Sequence, residues 1–169
     1  AVHAWDLFNE PDWIVSELHP SPRVSSPIPF DVFAAWVGAA TAVLRAYEAG
    51  PVTIGNARLR FARWWDSPAL DLDFLQVHPY YDPDHDHDLL DVSPAVLGIT
   101  RPLVVGECAG QGEVEDPRRG RAAMTLAELT TAARDRGFAG VWPWSWRGGD
   151  RHGSLAEADP DKVRAALAE

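Results

Sequence analysis

The feature that most constrains this chain is the alternation of short apolar runs with longer amphipathic stretches. Five runs rich in Val, Ile, Leu and Phe occupy residues 2–8, 51–55, 73–78, 102–106 and 139–144. Runs of that length fit strands of a parallel sheet covered on both faces, and the stretches between them carry the helical spacing that supplies the cover. Residues 30–49 are the clearest case, with Phe33, Trp36, Val37, Ala40, Val43, Leu44 and Tyr47 at helical intervals and a stop at Gly50-Pro51. Residues 58–65, 89–97, 119–136 and 159–168 are the other predicted helices, so that each strand is followed by one. The expectation is an α/β fold built from βα units.

The loops are asymmetric. Those after the strands are long: residues 11–29 hold five prolines, 81–88 are crowded with Asp and His, and 108–118 follow the fourth strand. Those before the strands are short and plain. In a parallel α/β protein this places the working face at the carboxyl ends of the strands.

At 169 residues, 46% hydrophobic and 24% charged, the chain has the composition of one globular domain spanning 1–169. Its formal charge of −10 would repel a nucleic-acid backbone or an anionic membrane surface, so neither is an expected partner, and a neutral substrate fits better. No apolar run approaches the roughly 20 residues that span a bilayer, and the first residues show no signal-peptide pattern. Cys108 is the single cysteine, which excludes an intrachain disulfide and a thiolate metal cluster.

Two glutamates stand at matching places. The first run ends in Trp5-Asp6-Leu7-Phe8-Asn9-Glu10-Pro11, where proline breaks the ladder, and the fourth in Gly106-Glu107. Carboxylates at the same end of different parallel strands can face each other across a cleft, one protonated to assist a leaving group and the other ionised to attack. That is the chemistry of glycoside hydrolysis, in which about 5–5.5 Å between them gives retention and about 6.5–9.5 Å inversion. The alternative for either glutamate is a solvated loop residue. Eight tryptophans are many for this length. Flat aromatic faces suit sugar rings, although any one Trp is more often core.

Asn9-Glu10-Pro11, His78-Pro79-Tyr80, Gly106-Glu107 and Trp142-Pro143-Trp144, each at a strand end, together resemble the clan A glycoside hydrolases, and among them family five, the cellulases and mannanases. Their order and spacing are similar to the fourth to eighth βα units of that family. The resemblance implies a (β/α)8 TIM-barrel-type fold present as a partial barrel of about five units, the C-terminal part of a catalytic domain. It implies Glu10 as general acid/base, Glu107 as nucleophile and Asn9 on the sugar 2-hydroxyl. His78 and Tyr80 would line the floor, with the Tyr80 hydroxyl near Glu107. Trp144 would be the stacking platform, with Trp142 its substitute if the strand phase is shifted by two.

The implied activity is retaining cleavage of β-glycosidic bonds in poly- or oligosaccharides, with no cofactor or metal. The implied partners are a carbohydrate substrate and either the absent N-terminal βα units or a second chain, and the implied setting is extracellular. Five of eight strands cannot close a barrel, so an exposed edge and an apolar inner face are expected. A non-catalytic carbohydrate-binding remnant is the competing reading. A metal-dependent hydrolase built on the loop from Asp82 to Asp88 with His78 and Glu107 is a third, against a simple solvated acidic loop. Cys108 reads as a small buried filler. Trp64 and Trp65 read as helix packing, one of them able to cap the cleft. Trp146, Arg147 and Asp150 read as further subsites or plain loop.

Overall fold

β-Branched and leucine residues at alternating positions decide which face of each strand is dry. In the computed structural model, which describes residues 2–18, 20–80, 92–109, 125–145 and 161, these positions build one parallel sheet. Its strands are β1 (Trp5–Asn9), β2 (Val52–Asn56), β3 (Leu75–Val77), β4 (Leu103–Val105) and β5 (Gly140–Val141), in the spatial order β1-β2-β3-β4-β5. All five runs predicted from the sequence are therefore strands, each starting later than expected, with β1 and β2 running one residue past the expected end and β3 to β5 stopping short of it, and sequential order with parallel pairing is that of a partial βα barrel.

Val52, Ile54, Leu75, Val77, Leu103 and Val105 point to one side. They form a single cluster with Phe33 and Val37 of helix α1 (Phe30–Ala46) and with Leu126, Leu129 and Ala133 of helix α2 (Leu126–Asp135). The other side carries Asp6, Thr53, Gln76 and His78, which line a cleft. The expected apolar inner face is thus corrected: its middle is polar. Register explains this, because Asp6 pairs with Thr53, and Gln76 with both Gly55 and Val104, so the polar residues fall on one pleat.

Several elements differ from the sequence expectation. Helix α1 stops at Ala46, three residues early, because Glu48 turns into the left-handed region before Gly50 does. Residues Leu59–Trp65 form a 3₁₀ helix rather than an α-helix. Leu59, Ala62 and Trp65 are its buried residues, and an interval of three stacks on one face only in the tighter helix. Within residues 92–100 the chain forms turns and no helix; residues 89–91 lie outside the described residues, as do 119–124 of the expected fourth helix and nearly all of 159–168. Helix α2 starts at a capping box, with the Thr125 side chain accepting from the Glu128 N–H and the Glu128 carboxylate accepting from the Thr125 N–H.

Arg101 ties the base of the sheet together, donating to Asp66 Oδ1 at 2.7 Å, to the Leu72 carbonyl at 2.7 Å and to the Ser67 carbonyl at 3.1 Å. These contacts join the 3₁₀ segment to the start of β4.

Candidate active site at the strand ends

Glu10 leaves β1 through a break in its geometry. Its N–H makes a last ladder bond to the Gly55 carbonyl at 2.8 Å, after which its backbone turns left-handed (φ 56, ψ 57) and Pro11 follows without a donor. A non-glycine residue there costs on the order of 1–3 kcal/mol. Each buried Val, Ile or Leu of the neighbouring strands returns about 1.5–3 kcal/mol, so the core easily holds the turn. A register shift between Asp6 and Asn9 adds a bulge to β1. Its effect is visible two residues apart: Asp6 lines the cleft, while Phe8 packs edge-on against Phe33 and Trp36 of α1.

His78, only 2% exposed, sits between the two glutamates. Its Nδ1 lies 3.0 Å from Glu10 Oε1 and 3.7 Å from Glu107 Oε1. One ligand-type atom from each of Glu10, His78 and Glu107 falls within a span of 4.8 Å. The three could therefore hold a metal ion, but both carboxylates already accept strong donors. The Tyr80 hydroxyl donates to Glu107 Oε2 at 2.9 Å, and the Trp13 indole N–H donates to Glu10 Oε2 at 2.7 Å. The 81–88 loop, the other half of the metal reading, lies outside the described residues.

Below this layer, Asp6 and Gln76 form a second polar pair. Gln76 Nε2 donates to Asp6 Oδ2 at 2.7 Å, and the Gly55 N–H donates to Asp6 Oδ1 at 3.2 Å. Asp6 keeps solvent contact, yet the protein crowding it pushes its carboxyl up to about 6, with Glu107 adding to the rise. The His78 imidazole and the N–H groups of Phe8 and Gly55 oppose it.

Two glycines make room for these side chains. A Cβ on Gly55 would stand 2.6 Å from His78 Nε2, and one on Gly106 would stand 2.8 Å from the Gln76 Cβ.

The cleft has a volume of about 470 Å³, and Asp6, His78, Glu107, Trp142 and Trp144 are among the residues that line it, whereas Glu10 and Tyr80 are not. The two tryptophans lie at different depths. Trp142 meets His3 and Phe74 edge-on, residues just before β1 and β3, whereas the Trp144 N–H bonds to the Cys108 carbonyl, beside Glu107. Trp144 is therefore the tryptophan level with the carboxylates. Asn9 ends β1 exposed and is not among the residues lining this cleft.

Cys108 is buried in the hydrophobic cluster. Trp65 is fully buried against Phe30 and Phe33, and Trp64 is partly exposed against Phe30, on the helix side of the sheet rather than over the cleft. Trp146, Arg147 and Asp150 lie outside the described residues.

Four contributors were not singled out in the sequence: Trp13, Asp12, Asp6 and Gln76. Asp6 and Gln76 had a readable signal, each being a strongly polar residue flanked by apolar ones inside a strand. Trp13, three residues past Glu10, had only its spacing. Asp12, wholly buried, accepts from the N–H groups of Ala57 and Arg58 at 3.0 Å each, and burial raises its carboxyl above the usual range.

No protein-family model matches the sequence, and no curated protein does. Solved structures do match the fold. A β-1,4-mannanase from the sea hare Aplysia kurodai superposes with TM-score 0.65 at 18% identity over 86% of this chain and 49% of its own. An endo-1,4-β-mannanase from Eisenia fetida gives 0.69 at 22% over 90% and 49%. A β-mannanase from the blue mussel Mytilus edulis gives 0.66 at 18% over 99% and 52%. The chain thus spans about half the length of these enzymes, and over that half it shares the fold of β-mannanases.

Proposed function

We propose that this chain, residues 1–169, is the C-terminal part of a (β/α)8 catalytic domain of the family-five type. It would belong to a retaining glycoside hydrolase that cleaves β-glycosidic bonds of mannan- or cellulose-like polysaccharides and oligosaccharides. The observation that carries the reading is the pair of glutamates from separate strand ends, with carboxylate oxygens within 4.8 Å of each other across His78. That spacing supports retention, which needs about 5–5.5 Å, over inversion, which needs about 6.5–9.5 Å.

In the proposed reaction a Glu107 oxygen attacks the anomeric carbon. The glycosidic C–O bond breaks, its electron pair leaves with the oxygen, and Glu10 gives that oxygen a proton. Water then attacks the glycosyl-enzyme while Glu10 takes back a proton, and Glu107 is released. Tyr80, donating to Glu107 Oε2 at 2.9 Å, holds the nucleophile in place. Trp144 offers the stacking face at the level of the carboxylates, with Trp142 deeper. Asn9, exposed at the end of β1 and outside the cleft lining, is assigned to a sugar hydroxyl by the family resemblance. No step in this scheme requires a cofactor.

The chain's half-length match favours one competing reading, a carbohydrate-binding remnant without turnover. Activated 2-deoxy-2-fluoro glucosides and mannosides separate the two. A mass increase of one fluoroglycosyl group that is absent in Glu107→Gln supports the double displacement and names the sugar. A folded protein that binds oligosaccharide but is never labelled overturns it in favour of the remnant.

A further inference from the structure

Glu10 has two oxygens in different surroundings, and the difference bears on which one delivers the proton. Oε1 faces His78 Nδ1 at 3.0 Å, whereas Oε2 accepts the Trp13 indole N–H at 2.7 Å. An indole nitrogen can donate but never accept, so Oε2 is most stable as the unprotonated oxygen, and with His78 in the tautomer whose Nδ1 accepts, the transferable proton is steered to Oε1.

Trp13 is itself held firmly. The Arg58 guanidinium lies over its ring, 4.0 Å from the centroid, and Asp12 binds the Arg58 backbone N–H at 3.0 Å and approaches its guanidinium at 3.6 Å. Arg58 and Asp12 are both buried. Pro11 to Trp13 form a single 3₁₀ turn whose Trp13 N–H bonds back to the Glu10 carbonyl at 3.1 Å. The main chain thus brings the indole back over the carboxylate it serves.

We propose that Trp13, clamped by Asp12 and Arg58, is a positioning residue that fixes the Glu10 carboxyl with Oε1 as its proton-bearing oxygen. The inference rests on Glu10 being the acid/base of the proposed function, and it is tested in two arms. The first reads the hydrogen bond directly and needs no turnover. In ¹⁵N-labelled protein the indole signal missing from Trp13→Phe is the Trp13 signal, and its proton shift should move with pH in the wild type and lose that step in Glu10→Gln. A Trp13 signal that ignores the Glu10→Gln change overturns the proposal.

The second arm compares leaving groups. A dinitrophenyl glycoside leaves without acid assistance and a phenyl glycoside does not. Trp13→Phe should therefore lower kcat/KM for the phenyl substrate by about 10-fold or more, part of the 10²–10⁴ available to general acid catalysis, and leave the dinitrophenyl value within about threefold. Equal losses on both substrates would make Trp13 merely structural and overturn the assignment, while the covalent labelling of Glu107 would still stand. Absence of labelling and of all turnover, with a Trp13 signal that still follows Glu10, would instead fail the enzymatic reading on which the inference depends.

Discussion

At the scale of single residues, Asp6 shows how the cleft stores a cost that the charge count does not reveal. Its carboxyl is raised from 3.8 to about 6, chiefly by the protein crowding it. For a raised acid the unfolded chain loses its proton first. Between pH 4 and 6 the folded state therefore holds more protons than the unfolded one, and this residue's contribution to stability falls as pH rises. Asp6→Asn mimics the protonated carboxyl and removes the effect. The melting temperature of Asp6→Asn relative to wild type should accordingly climb from about pH 4 to about pH 6 and level off above pH 7. A difference that is flat with pH, measured by calorimetry at several pH values, would contradict the raised carboxyl. The comparison isolates Asp6 from Asp12, whose carboxyl burial also raises, because Asp12 is present in both proteins.

At the scale of the element, strands β1 to β5 were legible because each is a dense apolar run, α1 was legible from its periodicity, and α2 lies within the helix expected over 119–136, whereas its start at the Thr125–Glu128 capping box was not singled out. The bulge in β1 was not, since one extra residue leaves no compositional mark and shows only as Asp6 and Phe8 facing opposite layers. The 3₁₀ stretch Leu59–Trp65 was readable in principle from its interval of three, which the neighbouring Phe61 and Trp64 obscured. The glutamates were legible as strand ends, and the family resemblance implied the Tyr80 hydroxyl near Glu107, whereas Trp13 was not legible, because it reaches Glu10 through a turn rather than through strand register.

Strand β2 carries the element-scale prediction. Gly55 is wholly inside the sheet, and a Cβ there would lie 2.6 Å from His78 Nε2 and 3.2 Å from Asp6 Oδ2. The imidazole is buried and cannot swing aside. Gly55→Ala should lower stability by about 1–3 kcal/mol, as overpacked cores do. Denaturant unfolding measures this, and a change below about 0.5 kcal/mol, the range of ordinary surface substitutions, would mean the ring has room that the geometry denies it.

At the scale of the whole molecule, the strand order leaves β1 and β5 at the two ends of the sheet, each unpaired along its outer side among the described residues. The polar middle of the inner face, made by Asp6, Thr53, Gln76 and His78, means that the open cleft itself is not the main apolar liability. Besides Trp142 and Trp144 at the cleft, a stripe of exposed apolar surface runs along α1 and its C-cap, where Val32, Trp36, Val43 and Tyr47 recur at intervals that keep them on one side. Trp36 also packs against Phe8 of β1, so this stripe is continuous with the free edge of that strand.

Unpaired edges beside apolar surface favour pairing with another copy. The formal charge of −10 opposes it. Salt decides between them, because the repulsion acts over a Debye length that shrinks from about 30 Å at 0.01 M to about 8 Å at 0.15 M, whereas edge pairing and apolar burial act at contact. The 169-residue chain should therefore sediment as a monomer at low ionic strength and as larger species with rising concentration and salt, and Trp36→Lys should move the onset to higher salt. A chain that stays monomeric at every salt concentration would show that the edge and the α1 stripe are already covered within the chain itself.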